Sequence, residues 1–223
     1  IGMARAYQEA GTLCVMATML PSHYQAALPH LNPFPAVQPA LGMHPLRAIE
    51  GSDEIGLFRA LSDSVECIGE IGLDLSAEGM KTRKVQTENL REILPLIPPG
   101  KFVTVHSRNA HNELGMLLDE YSVGPVCFHY FVGGARDAAR LSEKGHYFSV
   151  NHRMLAGRHR TLIDALPRDR VLIETDGPFL TENPLATAQK AYTCLSDAWA
   201  LPIREVEEQL ERSFKECKTR KNL

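Results

Sequence analysis

Four polar residues stand where an apolar stretch has little use for them. Glu70 falls near the end of VECIGEIGLD, His106 ends FVTVH, His129 sits inside VCFHYF and Asp176 follows VLIET. Carboxylate and imidazole are the ligands chosen by Zn²⁺, Mn²⁺ and related ions, and open coordination positions on such an ion activate water. A lone histidine at a strand end is usually a satisfied structural residue. Burying a carboxylate or imidazole at the end of an apolar strand is costly unless a metal or a partner compensates, so four of them in that position point to a cation site. His44, in ALGMHP, is a fifth candidate: Gly42 and Pro45 flank it and mark a strand-to-loop corner.

Other residues bear on phosphate. The segment 151–160, NHRMLAGRHR, follows an apolar run and carries Arg153, Arg158, His159 and Arg160. It reads either as a solvated loop entering a helix or as a loop whose guanidinium groups grip phosphate oxygens in bidentate fashion. Arg108, just after the HS dipeptide, either faces the site or pairs with a nearby acid. The basic tail from Lys215 to Lys221 reads as a solvated helix end, Tyr192, Leu195 and Trp199 as a core stripe, and Cys127 as packing.

Placing these residues requires a scaffold. Seven short apolar runs are legible, at 13–18, 36–42, 65–71, 102–106, 126–131, 147–150 and 171–174. Helical candidates lie between and after them, at 55–62, 83–96, 112–121, 135–144, 160–165, 186–200 and 203–218. Near-continuous apolar strands alternating with helices indicate parallel strands covered on their outer face. Neither GxGxxG nor GxxxxGK[ST] occurs, which weakens a doubly wound sheet. The expectation is therefore an α/β fold, a TIM-type (β/α)₈ barrel in one domain over 1–223. In such a barrel the four strand ends converge on the face where catalytic residues sit. The chain opens directly in a helix, so the missing first strand would lie just before Ile1.

Composition narrows the function classes. The chain has 223 residues, 44% hydrophobic and 23% charged, with a formal net charge of −3; these are globular proportions. A protein that coats DNA by charge alone is disfavoured, because such domains are strongly basic, whereas a nuclease with a local basic rim is compatible. No apolar run reaches the ~18 residues of a membrane span. The start, IGMARAYQEAG, is not a signal peptide. Five scattered cysteines without a CxxC pair suggest neither a disulfide framework nor a structural zinc knot, and the cytoplasm is the expected compartment.

IGEIGLD (68–74), TVHSRNA (104–110), CFHYFVGG (127–134) and LIETDGPFL (172–180), with GMHP (42–45), resemble in wording and order the motifs of TatD-related deoxyribonucleases, over about residues 1–218. The resemblance implies an amidohydrolase-type barrel whose divalent metal ions (Mg²⁺, Mn²⁺ or Zn²⁺) serve phosphodiester hydrolysis in DNA, typically as a 3′→5′ exonuclease. By the same resemblance Glu70 bridges metals, His106 and His129 are imidazole ligands, and Asp176 is a ligand that accepts a proton from the attacking water. His44 corresponds to a histidine near the substrate phosphate, and Arg108 and Arg153 are further substrate-binding candidates. The family's His-x-His pair belongs to the missing first strand, and Val132 stands where the family has a hydroxyl.

LPRDRVLIETDGPF, and YFSV followed by ML, are similar to the TatD-like branch of the Qat anti-phage defence systems. That likeness implies other proteins of a defence complex as partners, and it keeps open a second reading, a non-catalytic or conditionally active subunit. A third reading, a different amidohydrolase reaction such as lactone hydrolysis, is disfavoured because VECIGEI carries Glu70 and no lysine to carbamylate.

Overall fold

A computed structural model describes residues 1–157, 160–177, 181 and 183–219. They form two compact units, one from Ile1–Gly124 and the other within Pro125–Arg220.

In the first unit the strands β1 (Cys14–Ala17), β2 (Val37–Met43), β3 (Cys67–Gly72) and β4 (Phe102–His106) pair in sequence order, all parallel. The helices are α1 (Gly2–Glu9), α2 (Pro21–Leu31), α3 (Ala48–Asp53), α4 (Ile55–Ser62), α5 (Arg83–Ile93) and α6 (His111–Glu120). Parallel strands covered on both faces read as unbroken apolar runs. Accordingly Cys67, Ile68, Ile71 and Val105 have no exposed surface. Helix α2 has no counterpart among the expected helices: its Pro21 sits at the first helical position, where proline is tolerated, but Pro29 lies inside the helix. Helix α3 is also additional; it is six residues long, too short for helical periodicity to register.

The second unit holds β5 (Cys127–Phe128), β6 (Tyr147–Val150) and β7 (Val171–Ile173), again parallel and in sequence order. Its helices are α7 (Ala135–Glu143), α8 (His152–Ala156), α9 (Arg160–Ala165), α10 (Pro184–Trp199) and α11 (Ile203–Thr219). All four residues of β6 are buried. The rings of Phe128 and Phe131 each pack against Phe148, with centroids 6.0 and 5.1 Å away, separations typical of favourable aromatic pairs. Of the expected core stripe, Leu195 and Trp199 are buried and Tyr192 is half-buried, and Cys127 is a buried packing residue.

Two corrections concern where candidate residues lie. The ladder of β5 ends at Phe128, so His129 is the first residue beyond the strand rather than inside it, where Tyr130 turns the chain with φ of 43°. The 151–160 segment is not a continuous loop: the Asn151 side chain accepts from the Arg153 and Met154 amides and caps α8, the usual role of an N-cap asparagine. Arg158, His159 and the Arg160 side chain lie outside the described residues.

The GEIG sequence of β3 has a backbone reason. Gly69 and Gly72 have φ of 146° and 138°, in the region that only glycine adopts readily. A Cβ on Gly69 would stand 2.2 Å from the Thr104 side chain, and one on Gly72 would stand 2.1 Å from the His106 carbonyl oxygen. The β3–β4 register shifts between Ile68 and Ile71, and Glu70 lies within that irregularity. Gly69→Ala is expected to cost about 3 kcal/mol or more, from strain and overpacking together. Gly56→Ala, in α4 with open space around the new methyl, should instead stabilise by about 0.5 kcal/mol. Urea denaturation of both variants checks the pair; equal small effects would remove the close-approach explanation.

Candidate metal centre

Each unit presents one imidazole held by a carboxylate. In the first unit, His106 ends β4 and its Nε2 lies 2.8 Å from Asp74 Oδ2. Asp74 has no exposed surface, and its Oδ1 accepts from the Ser76 amide at 2.8 Å. Burial alone would raise the Asp74 carboxyl. The hydrogen bonds from His106 and from the Ser76 side chain and backbone outweigh it and hold the group well below the usual carboxylate range. Asp74 is therefore ionised and can only accept, which puts the His106 proton on Nε2. The other ring nitrogen, Nδ1, faces Glu70 Oε1 at 3.9 Å.

His44 completes this cluster from the end of β2. Its Nε2 lies 3.5 Å from Glu70 Oε2, and its ring meets that of His106 edge to face with centroids 4.6 Å apart. One ligand atom from each of His44, Glu70 and His106 falls within 4.8 Å of the others, close enough for all three to share a cation. The tautomer argues for a different division of labour. His44 Nδ1 accepts from the Leu46 amide at 3.2 Å, so the neutral ring carries its proton on Nε2 and points a donor into the cluster. A metal needs a lone pair there; an anionic oxygen needs the donor that is present.

In the second unit the carboxylate is Glu174, one residue beyond β7, with a side chain only 7% exposed. His129 Nδ1 lies 2.7 Å from its Oε2. The same oxygen accepts from the Tyr130 amide at 3.0 Å and from the Ser149 hydroxyl. An oxygen already accepting from those donors faces Nδ1 as an acceptor, which places the His129 proton on Nδ1 and turns Nε2 toward Asp176 Oδ1, 3.7 Å away. Asp176 and Tyr130 both have left-handed backbone, with φ of 49° and 43°, a conformation that costs energy outside glycine and clusters at functional sites.

The donor set fits divalent cations. In both units a buried or nearly buried acid accepts from one imidazole nitrogen and the other nitrogen faces a second acid, the carboxylate–histidine arrangement that metal-ligating histidines use. Of the seven candidate residues, Glu70, His106 and His44 come together in the first unit and His129 and Asp176 in the second. Arg108 and Arg153 are exposed. Val132, also noted from the sequence, is exposed. Asp74, Glu174, Ser149 and Asn151 were not anticipated. The signal for the first two was available, since both acids lie inside the motifs IGEIGLD and LIETDGPFL, a few residues from an anticipated ligand.

Comparisons with known proteins converge. The model of the TatD related DNase family matches residues 2–218. An uncharacterized metal-dependent hydrolase of Bacillus subtilis, YabD, is 29% identical over 167 residues, covering 71% of this chain and 65% of the relative. A protein of Cronobacter sakazakii named 3′-5′ ssDNA/RNA exonuclease TatD is 31% identical over 162 residues, covering 67% and 60%. The chain thus spans slightly less than two thirds of the length of these relatives.

Among solved structures, a TatD-family hydrolase from Entamoeba histolytica superposes with a TM-score of 0.81 at 17% identity, covering 97% of this chain and 88% of that one. YJJV, a TatD homologue from Escherichia coli, gives 0.74 at 23%, covering 90% and 84%. At such identities the likeness shows the fold alone. It is the TIM-type α/β class expected from the sequence, with seven strands among the described residues.

The Asp74 contact makes a pH prediction. A carboxyl whose folded pKa lies below its unfolded value stabilises fully above the unfolded pKa, about 4, and loses that contribution as the pH falls below it. The stability difference between the protein and Asp74→Asn, from urea denaturation, should be present at about pH 5 and shrink as the pH falls below about 4. A difference that stays constant into strong acid would contradict the ionised Asp74–His106 contact.

Proposed function

The chain belongs to the TatD-related DNase family, and from that footing we propose that it is a metal-dependent deoxyribonuclease that hydrolyses phosphodiester bonds. The observation that carries the reading is the pair of carboxylate-anchored imidazoles, each turning its second nitrogen toward an acid. Glu70 and His106 would hold a divalent cation in the first unit, and His129 and Asp176 would hold one in the second. Bound Mg²⁺, Mn²⁺ or Zn²⁺ supplies a more acidic water and positive charge beside the phosphoryl oxygens.

The chain's own residues do the remainder. Asp176, partly exposed at 29%, orients the attacking water and accepts its proton as a P–O bond of the substrate breaks. His44 donates from Nε2 to a phosphate oxygen, the role its backbone-fixed tautomer suits. Arg108 and Arg153, exposed and cationic, contact the phosphates of the nucleic-acid strand.

The relative named as a 3′-5′ single-stranded DNA/RNA exonuclease supports exonuclease action on DNA here. No helix among the described residues is long and apolar enough to cross a membrane, which is compatible with the cytoplasmic setting we propose. The Qat-like wording of 166–179 and 147–155 supports a place in anti-phage defence beside partner proteins.

The test is release of nucleotides from a 3′-labelled single-stranded oligonucleotide in Mn²⁺ or Mg²⁺. Asp176→Asn should lower the rate ~100-fold or more, on the scale of losing a general base, with no matching loss of thermal stability. Equal rates in the two proteins would overturn the assignment, and metal content near zero in active-condition preparations would favour the non-catalytic subunit.

A further inference from the structure

We propose that Glu174 is a positioning residue that locks His129 into the Nδ1–H tautomer, and that Asn151 holds Glu174 in that role while fixing the start of α8. The inference rests on the metal-dependent reading above for its purpose, though not for its geometry.

Four donors converge on one carboxylate. Glu174 Oε2 accepts from His129 Nδ1, the Tyr130 amide and the Ser149 hydroxyl, and Oε1 accepts from Asn151 Nδ2 at 2.9 Å. Each carboxylate oxygen has about two lone-pair directions, so the three donors fully occupy Oε2 while Asn151 engages Oε1. Those contacts turn Glu174 toward His129 and the start of α8, although it lies two residues from Asp176 in the same motif. Its role is exercised through His129.

Asn151 is 1% exposed and works at both ends of its amide. Nδ2 donates to Glu174, while Oδ1 accepts from the Arg153 and Met154 amides at 3.1 Å each. That division fixes the amide orientation, since a flipped Asn151 would set its NH₂ against two N–H groups and its oxygen against Glu174. One side chain thus ties the imidazole anchor to the first turn of the helix that carries Arg153.

This complementarity predicts the effect of an isosteric change. Glu174→Gln replaces one acceptor by an NH₂ group. Whichever way the new amide turns, that NH₂ meets donors: Asn151 Nδ2 on one side, or the His129 Nδ1–H and the Tyr130 amide on the other. Adding Asn151→Asp restores the match with the roles exchanged, because the NH₂ introduced by Glu174→Gln then donates to the new carboxylate, whose second oxygen can still cap α8.

The experiment is ¹⁵N-histidine NMR of the metal-free protein, read for the His129 tautomer, together with Zn²⁺ affinity by competition with a chelator. The protein should show His129 protonated on Nδ1. Glu174→Gln should mix the tautomers and weaken Zn²⁺ binding at the His129 set by about 10–100-fold, leaving the His106 signals unmoved. The double variant should recover the Nδ1–H tautomer and most of the affinity. A single variant with an unchanged tautomer and affinity within about twofold overturns the inference, and so does a double variant that fails to restore the tautomer. The metal-free tautomer decides this proposal alone; failure of the unaltered protein to bind Zn²⁺ would count against the hydrolase reading instead.

Discussion

A carboxylate withdrawn from water must have its lone pairs filled by donors, and that requirement organises both halves of this chain's chemistry. An unpaired buried carboxylate would change protonation or carry a penalty of several kcal/mol. Asp74 and Glu174 avoid it by collecting donors, and in each case one donor is an imidazole. The demand works in both directions: the acid is stabilised by the ring, and the ring loses its freedom to choose which nitrogen carries the proton. The outcome differs in sense between the two sites. His106 gives Nε2 to Asp74 and presents Nδ1 to Glu70, whereas His129 gives Nδ1 to Glu174 and presents Nε2 to Asp176.

The surrounding backbone is shaped to let those contacts form. On the Asp74 side, Gln86 accepts from the Asp74 amide and donates to the Gly79 carbonyl, so the turn after β3 is tied to α5 before the acid reaches His106. Leu73 and Leu75 donate to the His106 and Arg108 carbonyls, extending the chain-to-chain contact past the end of the sheet. On the Glu174 side, the amide that reaches the carboxylate belongs to Tyr130, one of the residues with left-handed backbone. Conformational strain is retained at the same places where donors and acids must be aimed.

Much of this was legible from residue order. The seven strands coincide with seven apolar runs because buried parallel strands have no polar face to interrupt them. Glu70, His106 and Asp176 were legible because a charged or imidazole side chain at the end of such a run is conspicuous. Asp74 and Glu174 were harder to read, because their importance lies in what they touch, and acids a few residues past a strand are common as solvated loop residues. Ser149 and Asn151 carry no charge to draw notice. The short helix α8 was hidden by its length: five residues cannot establish a helical period, and the Asn151 cap was the only local signal. Helix α2 was concealed by its two prolines, one of them at a position that favours helix starts.

The central claim is that these two rings bind divalent cations through the nitrogens opposite their carboxylate partners. Anomalous diffraction from crystals grown with Mn²⁺ or Zn²⁺ tests it most directly. The account predicts peaks beside His106 Nδ1 with Glu70 and beside His129 Nε2 with Asp176, with the Asp74 and Glu174 contacts intact. Metal on the opposite nitrogen of either ring, displacing its carboxylate, or no peak at either histidine, would contradict it.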